Sequence, residues 1–193
     1  MDPMKSKARV AAAVLALMAL TGGAFGAGVT ATLKGGYFAP SDEVFRDVYS
    51  GGPVFGFDLA VPVGGALSVW AGADLLSKNG NLTLTEDPTK VRIIPVFLGL
   101  RGEFGKTRLR PYIGAAAAYF LFHESNLLGT VNDGGLGFLG QAGLMWNLGG
   151  PVWLDLHAGY RACTLKSGSG DDMIEAKLGG LSGGLGIAFR FGP

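Results

Sequence analysis

From residue 29 onward, apolar side chains alternate with polar or small ones at every second position. In the stretch 184–191 the odd-numbered residues are Leu, Ile or Phe, and the even-numbered ones are Gly, Ala or Arg. Successive side chains of a β-strand point to opposite faces, so a period of two indicates a strand with one apolar face. The pattern predicts a β protein and raises the question of which solvent the apolar face meets.

The same alternation recurs in eight segments of about ten to fourteen residues. A barrel strand that crosses a membrane needs about 9–11 residues, so each segment is long enough. Pro95 cannot donate a ladder hydrogen bond within the fourth segment, which predicts a β-bulge there. The predicted strands are Val29–Ala39, Pro53–Pro62, Ala66–Leu76, Val91–Phe104, Leu109–His123, Leu136–Leu148, Val152–Leu165 and Leu178–Phe191.

Short and long connections alternate along the chain. The tight connections are 63–65, 105–108 and 149–151, and the longer, polar ones are 40–52, 77–90, 124–135 and 166–177. Up-and-down barrels of outer membranes have short periplasmic turns and longer outside loops. We therefore predict an all-β fold, an eight-stranded antiparallel up-and-down transmembrane β-barrel with both ends of the barrel domain on the periplasmic side.

Charged residues of the strands fall on the face opposite the Leu, Val and Phe residues. A soluble barrel such as a lipocalin is apolar inside and polar outside, so the apolar face here is predicted to meet lipid. The uniformly apolar stretch "IGAAAAYFLF" is assigned with Ile113, Tyr119 and Leu121 outward. The predicted inward charge network comprises Lys34, Asp58, Asp74, Arg101, Glu103, Asp155, His157, Arg161 and Arg190, with Gln141 beside it.

The interior of an eight-stranded barrel is just wide enough to be filled by side chains, and buried charges must pair or hydrogen-bond. Two interpretations of the inward charges stay open. They form a structural network that plugs the lumen, or they line a polar path for ions or small solutes. Lys34 and Asp58 are predicted to interact, because they lie near mid-height on adjacent strands. Small inward residues that would leave wet space for a path are Gly36, Gly56, Gly72 and Gly99.

Aromatic residues near the strand ends predict girdles at the two membrane interfaces. Tyr37, Trp146 and Phe191 fit this role, whereas Trp153 faces inward by parity and fits packing in the lumen equally well. The first long loop, "SDEVFRDVYS", predicts a helical turn capped by Ser41 with two aromatic residues one turn apart.

The beginning of the chain is typical of a signal peptide. Basic residues precede an apolar run over 10–20, and small residues at Ala24 and Gly26 suit a signal peptidase. Cleavage is predicted after Gly26, with Ala24 as the alternative, so residues 1–26 form the signal peptide and 27–193 the barrel domain. The apolar run is well short of the ~20 residues that a spanning helix needs.

Composition excludes several other classes of protein. The chain has 16 basic and 15 acidic residues, which leaves no electrostatic footprint for nucleic acid. One cysteine rules out an intramolecular disulfide, and two histidines without zinc-ligand spacing give no sign of a metal site. No phosphate-binding loop occurs, and no cofactor is expected.

The end of the chain resembles the assembly signal of outer-membrane barrels, in which Gly186, Phe189 and Phe191 match the glycine and the two aromatic positions. "LKGGYFAPSD" and "PYIGAAAAYF" resemble the OmpA/OmpW-like outer-membrane β-barrel domain family. The resemblance implies an outer-membrane location, contact with outer-membrane lipid and lipopolysaccharide, and recognition by the barrel assembly machinery. It does not imply an activity.

The stretch "FHESN" resembles the His-x-Ser-Asn motif of outer-membrane lipid A deacylases, in which His123 would be the general base and Ser125 the nucleophile. Such an enzyme needs an acidic residue to orient the histidine, and Asp133 is the acid nearest the expected spacing. The favoured function is non-enzymatic, an envelope-structural or surface-interaction role through the outer loops. A narrow channel for small or apolar solutes is the alternative, and a deacylase-like hydrolase is the third.

Overall fold

The computed structural model describes residues 28–43, 46, 50–81, 88–105, 107–126, 129–167, 174–177 and 179–192. The predicted signal peptide, 1–26, lies outside these residues, as do Phe45 and Tyr49 of the first loop. Within the described ranges, no helix has the length and apolar character needed to cross a membrane.

The described residues form one closed antiparallel sheet. Each strand pairs with the next along the chain as far as β7, and β9 pairs with both β7 and β1. This last pairing closes the sheet, so the predicted eight-stranded barrel fold is confirmed. The strands are β1 Val29–Pro40, β2 Gly52–Gly64, β3 Leu67–Asn81, β4 Pro88–Glu103, β5 Leu109–Asn126, β6 Gly129–Gly149, β7 Val152–Ser167, β8 Ile174–Lys177 and β9 Gly180–Phe191.

The segments β8 and β9 are two parts of the eighth barrel strand. Both pair with β7, and the pairs Thr164↔Lys177 and Arg161↔Gly180 belong to one continuous register. The eighth strand therefore begins at Ile174, four residues before its predicted start. A polar, charged sequence hides this extension, because ladder pairing in water requires no apolar alternation.

Strands reach further than predicted at the end of the barrel that carries the long connections, which we call the loop end. β3 and β4 continue to Asn81 and from Pro88, and β5 and β6 are separated by residues 127–128 alone. The predicted loops 77–90 and 124–135 are thus largely strand. The opposite end, with its tight connections at 65–66, 104–108 and 150–151, is called the turn end.

Pro95 does not produce the predicted bulge. β4 pairs with β5 without a register shift from Lys90 to Glu103, and Pro95 stands opposite Phe120. On the other side, the ladder with β3 lacks only the pairs at Ile94 and Pro95 and resumes in the same register. A missing N–H thus interrupts one ladder locally, while the intact ladder on the other side holds the strand straight.

The first loop begins with helical hydrogen bonds. The Arg46 N–H donates to the Asp42 carbonyl at 3.0 Å, and the Ser50 N–H donates to the Arg46 carbonyl at 2.8 Å. Ser41 lies before this turn, and its own N–H donates to the Gly179 carbonyl at 2.9 Å, which ties the start of the loop to the eighth barrel strand. A capping role for the Ser41 side chain stays a prediction.

The two faces of the sheet sort as the alternation predicts. Leu185 and Ile187 are about half exposed on the outer face, while Gly186 and Ala188, which alternate with them, are buried. The assignment of the fifth strand is also confirmed, since Ile113, Tyr119 and Leu121 are exposed. Among the strand side chains that the structure describes, Arg92 is the only charged one that faces outward, and it lies near the loop end.

Inward glycines accommodate aromatic rings instead of leaving wet space. A Cβ added to Gly72 would lie 2.7 Å from Phe97 Cζ, and one added to Gly114 would lie 3.0 Å from the Trp70 ring. Gly56 makes room for a carboxylate instead of a ring, since an added Cβ would collide with the Asp74 side chain. The expectation that small inward residues open a water-filled path is therefore wrong at these positions, because neighbouring side chains occupy the space.

Replacing an inward glycine with alanine should destabilise the barrel. A Cβ at Gly143 would come within 2.5 Å of Tyr112 Cζ, so Gly143→Ala should lower the free energy of unfolding by about 1–3 kcal/mol, the usual cost of overpacking. Gly140 on the same strand faces outward with nothing within 4 Å of an added Cβ, so Gly140→Ala should be neutral or slightly stabilising. Guanidinium unfolding in micelles measures both, and equal losses would contradict this packing.

Candidate functional site in the barrel interior

A chain of side chains joined by one ion pair and three hydrogen bonds crosses the middle of the lumen. Lys34 Nζ lies 2.5 Å from Asp58 Oδ2 and donates to Gln141 Oε1 at 3.1 Å. Gln141 Nε2 donates to the Tyr112 hydroxyl at 2.6 Å, and that hydroxyl donates to Asp155 Oδ1 at 2.9 Å. We call these five residues the central chain.

The topology explains how five separate strands supply the central chain. Lys34 on β1 and Asp58 on β2 face Gln141 on β6, which lies on the opposite wall of the closed sheet. Their inward parity brings each side chain to the barrel axis. A single step of register on any strand would turn its member of the chain outward.

Aromatic rings lie next to Lys34 of the central chain and next to the neighbouring Arg101. Lys34 Nζ lies 5.6 Å from the centroid of the Trp70 ring and 5.7 Å from that of Phe97. The Arg101 guanidinium stacks on Tyr112 at 3.7 Å. Cation–π contacts gain strength where water is excluded, so the rings supply part of the stabilisation that the buried charges lose on leaving water.

His157 extends the central chain by one residue. Its Nδ1 lies 3.2 Å from Asp155 Oδ2, and both side chains are nearly inaccessible to solvent. The other oxygen of the Asp155 carboxylate accepts the Tyr112 hydrogen bond, so this carboxylate lies between a β5 and a β7 side chain.

Toward the turn end, one carboxylate is shared by two guanidinium groups. Arg101 Nη2 lies 3.1 Å from one oxygen of Glu103, and Arg190 Nη2 lies 2.5 Å from the other. Arg190 Nε also donates to the Thr30 hydroxyl at 3.0 Å. Trp153 is buried beside this cluster, so its inward orientation by parity is observed.

Toward the loop end, a single ion pair sits among apolar side chains. Arg161 Nη2 lies 2.9 Å from Asp74 Oδ2, donates to the Ser182 hydroxyl at 3.3 Å, and lies 5.3 Å from the Phe38 ring. Buried side chains around this level form an apolar cluster that includes Phe120. Among the described residues, rings and branched chains thus surround this ion pair.

Sequence reasoning missed several residues of the interior, including Arg110 at the turn end. Tyr112 joins Gln141 to Asp155, and Trp70 is fully buried beside Lys34. The alternation of the strand indicates that Tyr112 faces inward, since the next residue, Ile113, faces outward. A tyrosine or tryptophan gives no charge to mark it as part of a charged network, so neither residue was singled out.

The structure does not bring Asp133, the acid predicted for the deacylase-like motif, together with His123. His123 is exposed on the outer face, and its strand neighbour across β6 is Asn132. Asp133 pairs with Phe122 instead, on the inner face, and its carboxylate accepts a hydrogen bond from the Gly134 N–H at 2.7 Å. The side chain of Ser125 lies outside the described part of the chain.

The described residues contain no group of three His, Cys, Asp or Glu side chains placed to hold a metal ion. Of the predicted assembly signal, Gly186 is buried while Phe189 and Phe191 lie exposed on the outer face of β9. Tyr37 and Trp146 are likewise exposed, near the loop end and the turn end respectively.

No family model matches this chain, and no curated protein matches it. Solved structures do. The outer membrane protein OprG from Pseudomonas aeruginosa aligns with a TM-score of 0.58 and 11% identity over 85% of this chain and 96% of that one. The chain has the fold of a small outer-membrane β-barrel. The N-terminal β-barrel domain of Pseudomonas aeruginosa OprF aligns with a TM-score of 0.56 and 15% identity over 85% of this chain and 99% of that one. E. coli outer membrane protein W aligns with a TM-score of 0.53 and 16% identity over 86% of this chain and 98% of that one.

The effects of removing Lys34 and of removing Asp58 on the free energy of unfolding should not be additive, because the two side chains form a buried ion pair. Lys34→Met or Asp58→Asn alone should lower the free energy of unfolding of the barrel by about 3 kcal/mol, because each leaves a buried group without its ion partner. The double variant should lose less than the sum of the single losses, by about 1 kcal/mol or more.

The exposed pair Glu43–Arg46, at 3.7 Å, is the matched control for this double-mutant cycle. Its coupling energy should not exceed about 0.5 kcal/mol. Chemical unfolding of the detergent-solubilised barrel measures both cycles. Strict additivity for Lys34 and Asp58 would mean that their contact contributes nothing.

Proposed function

We propose that this chain is an integral outer-membrane protein without enzymatic activity, with an envelope-structural or surface-interaction role carried by the loop end. The outward surface is the observation that carries the proposal. Residues 1–26 would direct export, and the aromatic end of β9 would be read by the barrel assembly machinery. The turn end then faces the periplasm, as in other barrels with short turns on that side.

The outward surface has the dimensions and chemistry of a lipid-facing belt. Val29 pairs with Phe191 at the turn end, and Tyr37 lies eight residues further along β1. At about 3.3 Å per residue and a strand tilt of about 40°, these aromatic levels are ~20 Å apart along the barrel axis, close to the ~25 Å apolar band of such barrels. Phe138 and Tyr160, whose rings lie 6.1 Å apart, extend the aromatic level toward the loop end.

The filled interior favours a closed barrel over a channel. The central chain spans the lumen from β2 to β6, and the apolar cluster around Phe120 fills the half toward the loop end. Trp70 and Arg101 are fully buried within this filling. An ion would have to break the Lys34–Asp58 pair to pass, and separating buried partners is costly.

The hydrolase alternative has less support. A histidine general base needs an acidic neighbour that orients its ring and stabilises its charge. Asp133 lies on the inner face, whereas His123 lies on the outer face, so Asp133 does not supply this group. The predicted histidine–acid pair thus gives the hydrolase alternative no support.

A charge placed on the outer face should be costly at mid-height only. Leu33 is exposed at the centre of β1, and Leu33→Arg should destabilise the folded barrel in lipid vesicles by about 2–4 kcal/mol, because arginine there meets hydrocarbon. Ala39 is exposed on the same strand near the loop end, so Ala39→Arg should cost about 0–1 kcal/mol. Equal costs, or a chain that stays monomeric in water without detergent, would contradict the membrane proposal.

Folded protein in planar bilayers should give no stable unitary currents. The physical reason is that the central chain and the aromatic rings occupy the lumen. Folding is verified beforehand by the different gel migration of boiled and unboiled samples. Unitary currents that bulky replacements at Gly56 or Gly72 abolish would overturn the closed barrel and establish the channel alternative.

A further inference from the structure

The lumen contains a cavity of about 510 Å³ between the central chain and the turn end. We propose that it is a binding site for a small anion that carries a carboxylate or phosphate group and enters from the turn end. The inference requires the barrel fold and the charges of this cavity, and goes beyond the proposed envelope role.

The walls of the cavity combine cationic, hydroxyl and apolar groups. Arg110 and Arg190 line it together with Glu103, the hydroxyl-bearing residues Thr30 and Ser68, and the Phe104 ring. Small-molecule sites in proteins typically occupy about 300–1,000 Å³ and place a few polar groups on an otherwise apolar wall. The cavity fits this description in both size and composition.

Positive charge is in excess around this cavity. Arg101 and Arg190 share the single carboxylate of Glu103. Arg110 lies 5.0 Å from the Trp153 ring and has no carboxylate partner within the described ranges. Its Nε is buried without a hydrogen-bond acceptor there. Three guanidinium groups thus face one carboxylate.

The arrangement selects anions with planar or tetrahedral oxygen groups. Guanidinium presents its N–H donors in a fixed fork that matches carboxylate and phosphate oxygens. Trp153 lies between Arg110 and Arg190, at 5.0 and 4.9 Å, so the indole holds both cations near one wall. The Thr30 hydroxyl accepts from Arg190 Nε, which leaves its own proton free to donate to a bound oxygen.

The mouth of the cavity is open to small solutes. Gly65, Ala66 and Gly105 form part of its lining where the turns lie, and they carry little or no side chain. Arg108 lies on the same connection as Gly105 but is exposed and does not line the cavity. Its charge can attract anions toward the mouth without touching one that is bound inside.

The test is a titration of the full chain, folded in detergent micelles, with inorganic phosphate and separately with acetate at constant ionic strength. The indole N–H signal of Trp153 in NMR spectra reports the cavity. Trp70 in the central filling and Trp146 on the outer face are internal controls. A saturable shift of Trp153 alone is expected, and the arm with the tighter binding identifies the preferred oxygen group.

Arg108 on the turn and Arg110 at the start of β5 give a matched comparison. Arg110→Gln should weaken anion binding at least tenfold, because it removes an unpaired guanidinium from the wall. Arg108→Gln removes the same charge outside the cavity and should change the affinity by twofold at most. Ser68→Ala, which leaves all charges in place, should weaken binding by about two- to fivefold and serves if Arg110→Gln does not fold. A shift that never saturates, or equal effects of the two arginine variants, would overturn the site.

Discussion

The burial of Lys34 is the constraint on which the interior depends. An ammonium group in so narrow a lumen must exchange its water for protein partners, and Asp58 supplies one at 2.5 Å while Gln141 supplies another. Because these partners stand on opposite walls of the sheet, satisfying one charge ties the walls together. Gln141 in turn needs a hydrogen-bond partner, which is the Tyr112 hydroxyl, and that hydroxyl donates to Asp155.

The glycines provide the complementary half of this packing. Large rings such as Trp70 and Phe97 fit inside an eight-stranded barrel only where the facing backbone carries no side chain, as at Gly114 and Gly72. The rings in turn surround Lys34 and lower its access to water. The unusual glycine content, 34 of 193 residues, thus belongs to the same physical problem as the buried charges.

The two halves of the lumen differ in chemistry, and this difference separates their possible roles. Toward the loop end, the Arg161–Asp74 pair is neutralised and embedded in apolar side chains, which suits a stable support for the exposed loops. Toward the turn end, guanidinium groups outnumber carboxylates around an open cavity. The two ends of the lumen therefore present different chemistry to the two sides of the barrel.

The sequence by itself determined the barrel and the two faces of its strands, because a period of two in side-chain polarity can be read from a few neighbouring residues. It did not determine where strands end in water, as at Asn126, since ladder pairing there needs no apolar pattern. Nor did it determine the effect of Pro95, whose consequence depends on the ladder of the neighbouring strand. Apart from the Lys34–Asp58 pair on adjacent strands, the partners of the charges and the role of Tyr112 depended on the tertiary structure. Closure of the sheet brought β5 and β6 opposite β1 and β2, and the contacts across the lumen join residues far apart in the chain.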